Sequence, residues 1–245
     1  MTRVTGGKAI YGASVGILML DARFPRIPGD MGNARTWPFP VHYRIVRDAT
    51  PDLVVRRGAT GMLDAFVRAA RDLVADGADG ITTNCGFLSL FQDELAEATG
   101  VAVATSSLMQ VEMVNRLLPA GKRAGILTIS ASTLTPLHLE KARVPEGTPI
   151  GTTEGGREFT RAILDNALTL DVDAARADNV AAARALAEAH GDLGAIVLEC
   201  TNMVPYAPDI RAATGLPVFS IYNLVSWFQA GLTPARFPAP PDGPA

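Results

Sequence analysis

The chain contains two cysteines, and each closes a strand-like apolar run inside a segment that is written twice. The first copy reads Gly80-Ile81-Thr82-Thr83-Asn84-Cys85, then a helix-like stretch, then Ala98-Thr99-Gly100-Val101-Ala102-Val103. The second reads Ala195-Ile196-Val197-Leu198-Glu199-Cys200, then a helix-like stretch, then Ala213-Thr214-Gly215-Leu216-Pro217-Val218. In both copies a glycine follows the cysteine by 15 residues. A thiol between a strand and the next helix meets unpaired amides and a helix dipole, both of which favour an anion. Two such thiols at equivalent places in facing halves could remove a proton from one face of a carbon and return it to the other. A lone free cysteine often only fills space. Two at matched positions in a repeat, with no third in the chain, point to function. A redox pair would call for a Cys-x-x-Cys or a resolving partner nearby, and the sequence has neither.

The residues beside the thiols could hold a carboxylate. Asn84, Thr201 and Asn202 offer donors, Gly86 lets the backbone approach a ligand closely, and Phe87 lies next to it. Asp21 follows the first strand, with a loop cap as the alternative account. Ser130, Ser132 and Thr133 follow the equivalent strand of the second half and could bind a carboxylate, cap a helix, or do both. Thr153 precedes a helix whose amides could face the cleft, although a plain cap explains it as well. Arg23 and Arg26 could clamp an acidic substrate from the long loop 21–40, and solvated loop charges are the plainer reading.

The elements that must position these groups can be read from periodicity. Val15 to Leu20 reads as a buried parallel strand, and 44–47 or 53–56 could add a short one. Helical spacing runs over 60–75, with Met62, Leu63, Phe66, Val67 and Ala70 on one face. A strand at 81–84, a helix at 88–98 closed by Gly100, a strand at 101–104 and a helix at 107–118 complete the first pattern. The pattern then restarts: Ala124-Gly125-Ile126-Leu127-Thr128-Ile129 echoes Val15-Gly16-Ile17-Leu18-Met19-Leu20. A short strand at 150–152, helices at 157–168 and 174–190, a strand at 195–199, a helix at 204–213, a strand at 218–220 and a helix at 224–232 follow. Alternating strands and helices predict an α/β fold with parallel sheets and helices on both faces. The expected division is 1–106 plus 220–245 for the first unit and 107–219 for the duplicated second. Residues 1–12 read as loose and the Pro-rich tail from Thr233 carries no core signal. In parallel sheets ligands bind beyond the carboxyl ends of the strands, where both cysteines fall.

Bulk properties narrow the function classes. The chain has 245 residues, 48% of them apolar and 19% charged, with a net charge of −3, enough for one large domain or two small ones with proper cores. There is no basic tract, so no nucleic acid is expected. There is no apolar run of membrane-spanning length and no leader-like opening, so no membrane partner is expected either. Two cysteines make no disulfide framework, which suits free thiols in a reducing cytoplasm. Lys8, Lys122 and Lys141 are the only lysines, and none sits in a Schiff-base setting. No Walker loop or dinucleotide glycine signature is present, and His42, His138 and His190 lack metal-ligand spacing. No cofactor and no metal are expected.

The doubled architecture, with Asn84-Cys85 and Glu199-Cys200-Thr201-Asn202 at strand ends and the strand–turn Gly125 to Thr133, resembles the aspartate/glutamate racemase superfamily over roughly residues 14–232. That group also holds hydantoin racemases, maleate isomerases and arylmalonate decarboxylases. The resemblance implies two α/β domains related by a pseudo-twofold axis, with the active site in the cleft between them. It further implies a homodimer and cofactor-independent proton transfer by Cys85 and Cys200. The expected activity is a racemase or epimerase acting on an amino acid or related α-substituted carboxylate. A cysteine-dependent cis–trans isomerase of an unsaturated diacid and a non-catalytic small-acid binding protein are the alternatives. Amino-acid racemases of the group commonly carry Cys-Asn-Thr at the first thiol, where this chain has Cys85-Gly86-Phe87. Glutamate racemases show Cys-Thr-His at the second, where this chain has Cys200-Thr201-Asn202.

Overall fold

The computed structural model describes residues 3–238. Two four-stranded parallel sheets carry the chain, each with helices on both sides, and the fold is α/β. The first sheet contains β1 (Val15–Leu20), β2 (Val41–Val46), β3 (Gly80–Thr83) and β4 (Ala102–Ala104), in the order β2-β1-β3-β4. The second contains β5 (Arg123–Thr128), β6 (Ile150–Thr152), β7 (Leu193–Leu198) and β8 (Val218–Phe219), in the order β6-β5-β7-β8. The two orders are the same, which is the sequence restart expressed in space. The central strand β1 is buried along its whole length, as a parallel strand covered on both faces must be. Its register pairs Val15 with Val41 on one side and with Gly80 on the other.

Helices α1 (Leu63–Asp76), α2 (Gln92–Thr99) and α3 (Val111–Leu117) belong to the first half of the chain. Helices α4 (Pro136–Lys141), α5 (Phe159–Leu164), α6 (Val172–Ala189) and α7 (Ala207–Thr214) belong to the second. The last helix, α8 (Ile221–Leu232), returns to the first sheet, where Phe228 and Leu232 fill the space a side chain at Gly80 would need. The duplicated glycines do the same job in each half. Gly100 ends α2 at φ +67° and Gly215 ends α7 at φ +72°, the left-handed cap that only glycine adopts without strain.

Several element boundaries differ from expectation. The second strand lies at Val41–Val46, and Asp52–Arg56 forms a helical turn instead of a strand. Three of the expected helices begin as tight 3-10 turns, Gly86–Phe91, Ser107–Gln110 and Thr201–Tyr206, before α2, α3 and α7. In the third of these Pro205 lacks an N–H and cannot continue a regular α-helical ladder. The described residues before β1 have no regular structure but are tied down: Ile10 donates its amide to the Asp76 carbonyl (2.9 Å) and Lys8 donates to the Gly77 carbonyl (3.1 Å). Residues 239–245 of the expected first unit lie outside the described residues.

One apolar core runs through both halves, from Leu18, Ile81 and Leu88 to Ile126, Leu198 and Met203. Hydrogen bonds cross between them. Thr201 Oγ1 donates to the Asn84 carbonyl (2.6 Å), Ser107 to the Leu198 carbonyl, and Gln110 Nε2 to the Ser220 carbonyl (2.9 Å). The strand ends that carry Cys85 and Cys200 are therefore held against each other by buried, directional contacts.

Gly77 closes α1 at φ +132°, and a Cβ there would stand 2.2 Å from the Ile10 carbonyl oxygen. Gly77→Ala is expected to destabilise by more than 1 kcal/mol, since backbone strain and a backbone clash act together. In a chain of this size that lowers Tm by about 2–4 °C per kcal/mol. A variant that melts at the same temperature as the parent would contradict it.

Candidate active site

Cys85 and Cys200 line the same enclosed cavity, together with Asn84, Gly86, Phe87, Glu199, Thr201 and Asn202. Each cysteine ends its strand and starts a 3-10 turn, so each sulfur meets the first amides of that turn. The amides of Phe87 and Leu88 face the Cys85 sulfur, and the amide of Asn202 faces that of Cys200. Both thiols are buried and unbonded to each other. Burial pushes both thiols well above their ordinary value, and the neighbouring Glu199 carboxylate pushes them further. On Cys85 the two amides and the Arg26 guanidinium pull the other way.

The remaining wall is apolar: Leu20, Phe24, Val55, Ile129, Ile163 and Leu164. The cavity measures about 20 Å³, room for about one water. A ligand of several heavy atoms must therefore displace part of this wall. Phe24 belongs to the long loop 21–40, and Ile163 and Leu164 to the short helix α5.

The structure brings Asn84, Gly86, Phe87, Thr201 and Asn202 to the thiols, as the spacing implied. Their polar atoms, however, are largely engaged within the protein. Asn84 Oδ1 accepts the Leu20 amide (2.8 Å), and Thr201 Oγ1 is committed to the Asn84 carbonyl. The close approach at Gly86 is to Glu199: a Cβ there would lie 2.3 Å from Glu199 Oε1 and 2.5 Å from its carbonyl oxygen.

Five expected binding residues are not at the cavity. Asp21 turns outward to Arg47 (3.5 Å) and the Asp48 amide (3.4 Å). Ser130, Ser132 and Thr133 do gather around a carboxylate, but it is the chain's own Glu154: Ser130 Oγ donates to it (2.6 Å), as do the Ser132 amide (3.1 Å) and hydroxyl, and Thr133 Oγ1 donates to Ser130 (2.8 Å). These bonds offset the cost of half-burying Glu154 and hold its carboxyl below the usual range. Thr153 is buried against Thr160, with hydroxyls 2.9 Å apart. In each case a polar group near the strand end found an internal partner that spacing alone could not reveal.

Two residues that matter, Glu199 and Asp30, were not among the expected site residues, and a third, Arg26, was read more plainly as a solvated loop charge. Glu199 is 1% exposed, with Oε2 accepting from Thr128 Oγ1 (2.8 Å) and Oε1 buried without a partner. Desolvation raises its carboxyl to about 7. Its position directly before Cys200 was visible in the sequence, and a charged residue closing an apolar strand was the available signal. Asp30 is 3% exposed and reaches from the long loop to accept a hydrogen bond from Asn202 Nδ2. Arg26 pairs with Asp30 (2.8 Å) and lies over the Phe24 ring, 4.5 Å from its centre. It is a partly buried partner, whereas Arg23 is exposed as a loop charge. No group of three or more His, Cys, Asp or Glu side chains with metal-binding geometry occurs among the described residues.

Known proteins place this site in context. The chain is 27% identical over 235 residues to a dimethylsulfoniopropionate lyase of Durusdinium sp. clade D, covering 89% of this chain and 75% of that one. It is 30% identical over 240 residues to dimethylsulfoniopropionate lyase 7 of Emiliania huxleyi (strain CCMP1516), covering 89% and 67%. No family model matches. Among solved structures, unliganded arylmalonate decarboxylase aligns over 94% of this chain and 96% of that one, with a TM-score of 0.55 at 19% identity. The aspartate racemase of Picrophilus torridus aligns over 92% and 96%, with a TM-score of 0.56 at 13% identity. The structural likenesses bear out the expected fold. The sequence relatives overturn the expected amino-acid racemase or epimerase, and the isomerase class with it, because they are named as lyases. The doubled thiol motif reports the scaffold, and a scaffold does not fix the reaction. The relatives and structural neighbours are enzymes, and so is this protein. With both thiols lining one cavity and 30% identity to such a lyase over 89% of its length, the chain belongs to the dimethylsulfoniopropionate lyase family.

Proposed function

We propose that the protein cleaves dimethylsulfoniopropionate by elimination. The observation that carries this reading is the single cavity shared by two thiols and a buried carboxylate, in a chain related along most of its length to lyases of that name. The substrate carries a carboxylate at one end and a dimethylsulfonium group on the carbon β to it. A cysteine thiolate takes a proton from the α-carbon. The electron pair of that C–H bond becomes the Cα–Cβ double bond, and the Cβ–S bond breaks with its electrons moving to sulfur. Acrylate and neutral dimethyl sulfide result, and the proton resides on the cysteine until it passes to solvent. Sulfur leaves without needing a proton, so the reaction as written needs one base and no cofactor.

Charge and shape in the cavity support this substrate. Glu199 and Asp30 lie beside the thiols, and Arg26, the cation facing Cys85, is already paired with Asp30. A cationic sulfonium fits such a site and helps to ionise a thiol there, where a second carboxylate would be repelled by Glu199. The apolar wall from Leu20 to Leu164 suits two methyl groups and a departing thioether.

Purified protein supplied with dimethylsulfoniopropionate should release dimethyl sulfide and acrylate in equal amounts, read by headspace gas chromatography and proton NMR. Replacing the thiol that serves as base, by Cys85→Ser or Cys200→Ser, should lower that release by about 100-fold or more, the scale of a lost general base. Full activity in both variants, or none in the parent, would overturn the proposal.

Glu199 gives a separate prediction, on stability. Its folded value, about 7, lies above the ordinary carboxylate value of 4.5, so the folded state holds the proton longer. The contribution to stability is fully present below about 4.5 and is lost as pH rises through about 7. The size is on the order of 3 kcal/mol. Urea unfolding across this range should show a decline with pH in the parent that flattens in Glu199→Gln. Parallel curves for the two proteins would show that Glu199 ionises normally.

A further inference from the structure

The two thiols are matched in the repeat but not in their surroundings, and the difference traces to the long loop 21–40. Asp30, from that loop, accepts a hydrogen bond from Asn202 Nδ2, while its other oxygen is paired with Arg26. An ionised carboxylate can only accept, so it fixes which way the Asn202 carboxamide points. The NH₂ group faces Asp30 and the oxygen faces Cys200, whose Sγ donates to it at 3.6 Å. An acceptor opposite a thiol holds the proton on sulfur. Cys85 Sγ makes no such side-chain hydrogen bond among the described residues: burial and Glu199 oppose its thiolate as they do at Cys200, while the Phe87 and Leu88 amides and the Arg26 charge favour it. We infer that Asp30 is a positioning residue which, through Asn202, keeps Cys200 protonated and thereby assigns the base role to Cys85.

This rests on the elimination reading of the site and deepens it. The groups that bear charge around Cys200 are Glu199, Cys85 and Asp30, and those around Asp30 include Arg26, Tyr43 and Tyr206. Each thiolate disfavours the other, so at most one forms at a time. Which one forms is a choice between alternatives, and a fixed acceptor at one site decides it. Without Asp30 the Asn202 amide is free to turn its NH₂ toward the Cys200 sulfur, and the Asp30 charge no longer opposes ionisation there. Both changes make Cys200 the easier thiol to ionise. The negative charge then settles on the wrong sulfur, and turnover falls although the substrate still binds.

The test uses single-thiol chains, because the protein has two cysteines in all. In a Cys85→Ser background, Asp30→Asn should raise the rate of Cys200 alkylation by iodoacetamide at fixed pH by about tenfold, one unit of thiol acidity. In a Cys200→Ser background the same substitution should leave the Cys85 rate within about twofold, a change too small to count as a shift in acidity. A merely loosened structure would speed both, and that result, or an unchanged Cys200 rate, would overturn the inference. Asn202→Ala should raise the Cys200 rate as Asp30→Asn does, and the double variant should rise no further, because the two act as one unit. Additive effects would show that they act separately. With both cysteines present, Asp30→Asn should lower kcat for dimethyl sulfide release by at least about tenfold with little change in KM, the signature of a group acting in the chemical step. The alkylation comparison needs no turnover. If the parent releases no dimethyl sulfide, the elimination reading fails while the link from Asp30 to Cys200 is still decided.

Discussion

Drawing Cys85, Cys200 and Glu199 out of water into one cavity is the constraint around which the rest of the molecule is arranged. In a region of low dielectric the three cannot all carry charge, because each ionisation raises the cost of the next. The directions agree: both thiols are pushed up by burial and by Glu199, and Glu199 itself is pushed up to about 7. Asp30 stays beside them because Arg26 neutralises it at 2.8 Å. A site in this state is short of positive charge. A ligand that brings its own cation changes the balance for every group at once, which a neutral or doubly anionic ligand cannot do.

The duplicated scaffold supplies position, and the departures from duplication supply chemistry. Asn84 and Glu199 occupy equivalent places, each directly before a cysteine, and each accepts a hydrogen bond from the neighbouring central strand or its end, from Leu20 or Thr128. The bond fills the oxygen of Asn84 but leaves one oxygen of Glu199 free. The residue after each cysteine diverges in a complementary way. Gly86 has no side chain, and Glu199 occupies the space where a Cβ would be. Thr201 uses its hydroxyl to tie its own half to the carbonyl of Asn84. Symmetry brings the sulfurs to a common cavity, and broken symmetry makes them different acids.

Much of this was legible in the sequence, and what was not has a common cause. The apolar run Val15 to Leu20, its echo at Ala124 to Ile129, and the paired Cys–Gly spacing report local requirements: a strand buried on both faces, and a helix cap with positive φ. Such requirements are met within a few residues, so periodicity exposes them. Partner choice across the chain is different. Asp30 and Asn202 are 172 positions apart, and Arg23 and Arg26 look alike in a charged loop although one is exposed and the other paired over a ring. Ser130, Ser132 and Thr133 were expected to bind the carboxylate of a substrate, and they lie away from the cavity. The carboxylate they hold comes from Glu154, 24 residues beyond Ser130.

The reaction itself was the least legible, for a reason that lies in the chemistry. Removing a proton next to a carboxylate can lead to several products, and the base does not choose among them. If nothing on the substrate can leave, the proton returns to one face or the other. If the β-carbon carries a sulfonium, the electron pair has a faster exit, because the departing sulfur becomes neutral and needs no acid. Two thiols in a cavity describe the first step alone. What separates the outcomes is how the walls treat the rest of the substrate, and here the cavity combines apolar side chains with the Glu199 carboxyl, the combination the proposed sulfonium substrate calls for. Those walls are assembled from Phe24, Val55, Ile163 and Leu164, residues from three separate segments that are ordinary core formers one by one. Their meaning arises only when the fold sets them opposite Glu199.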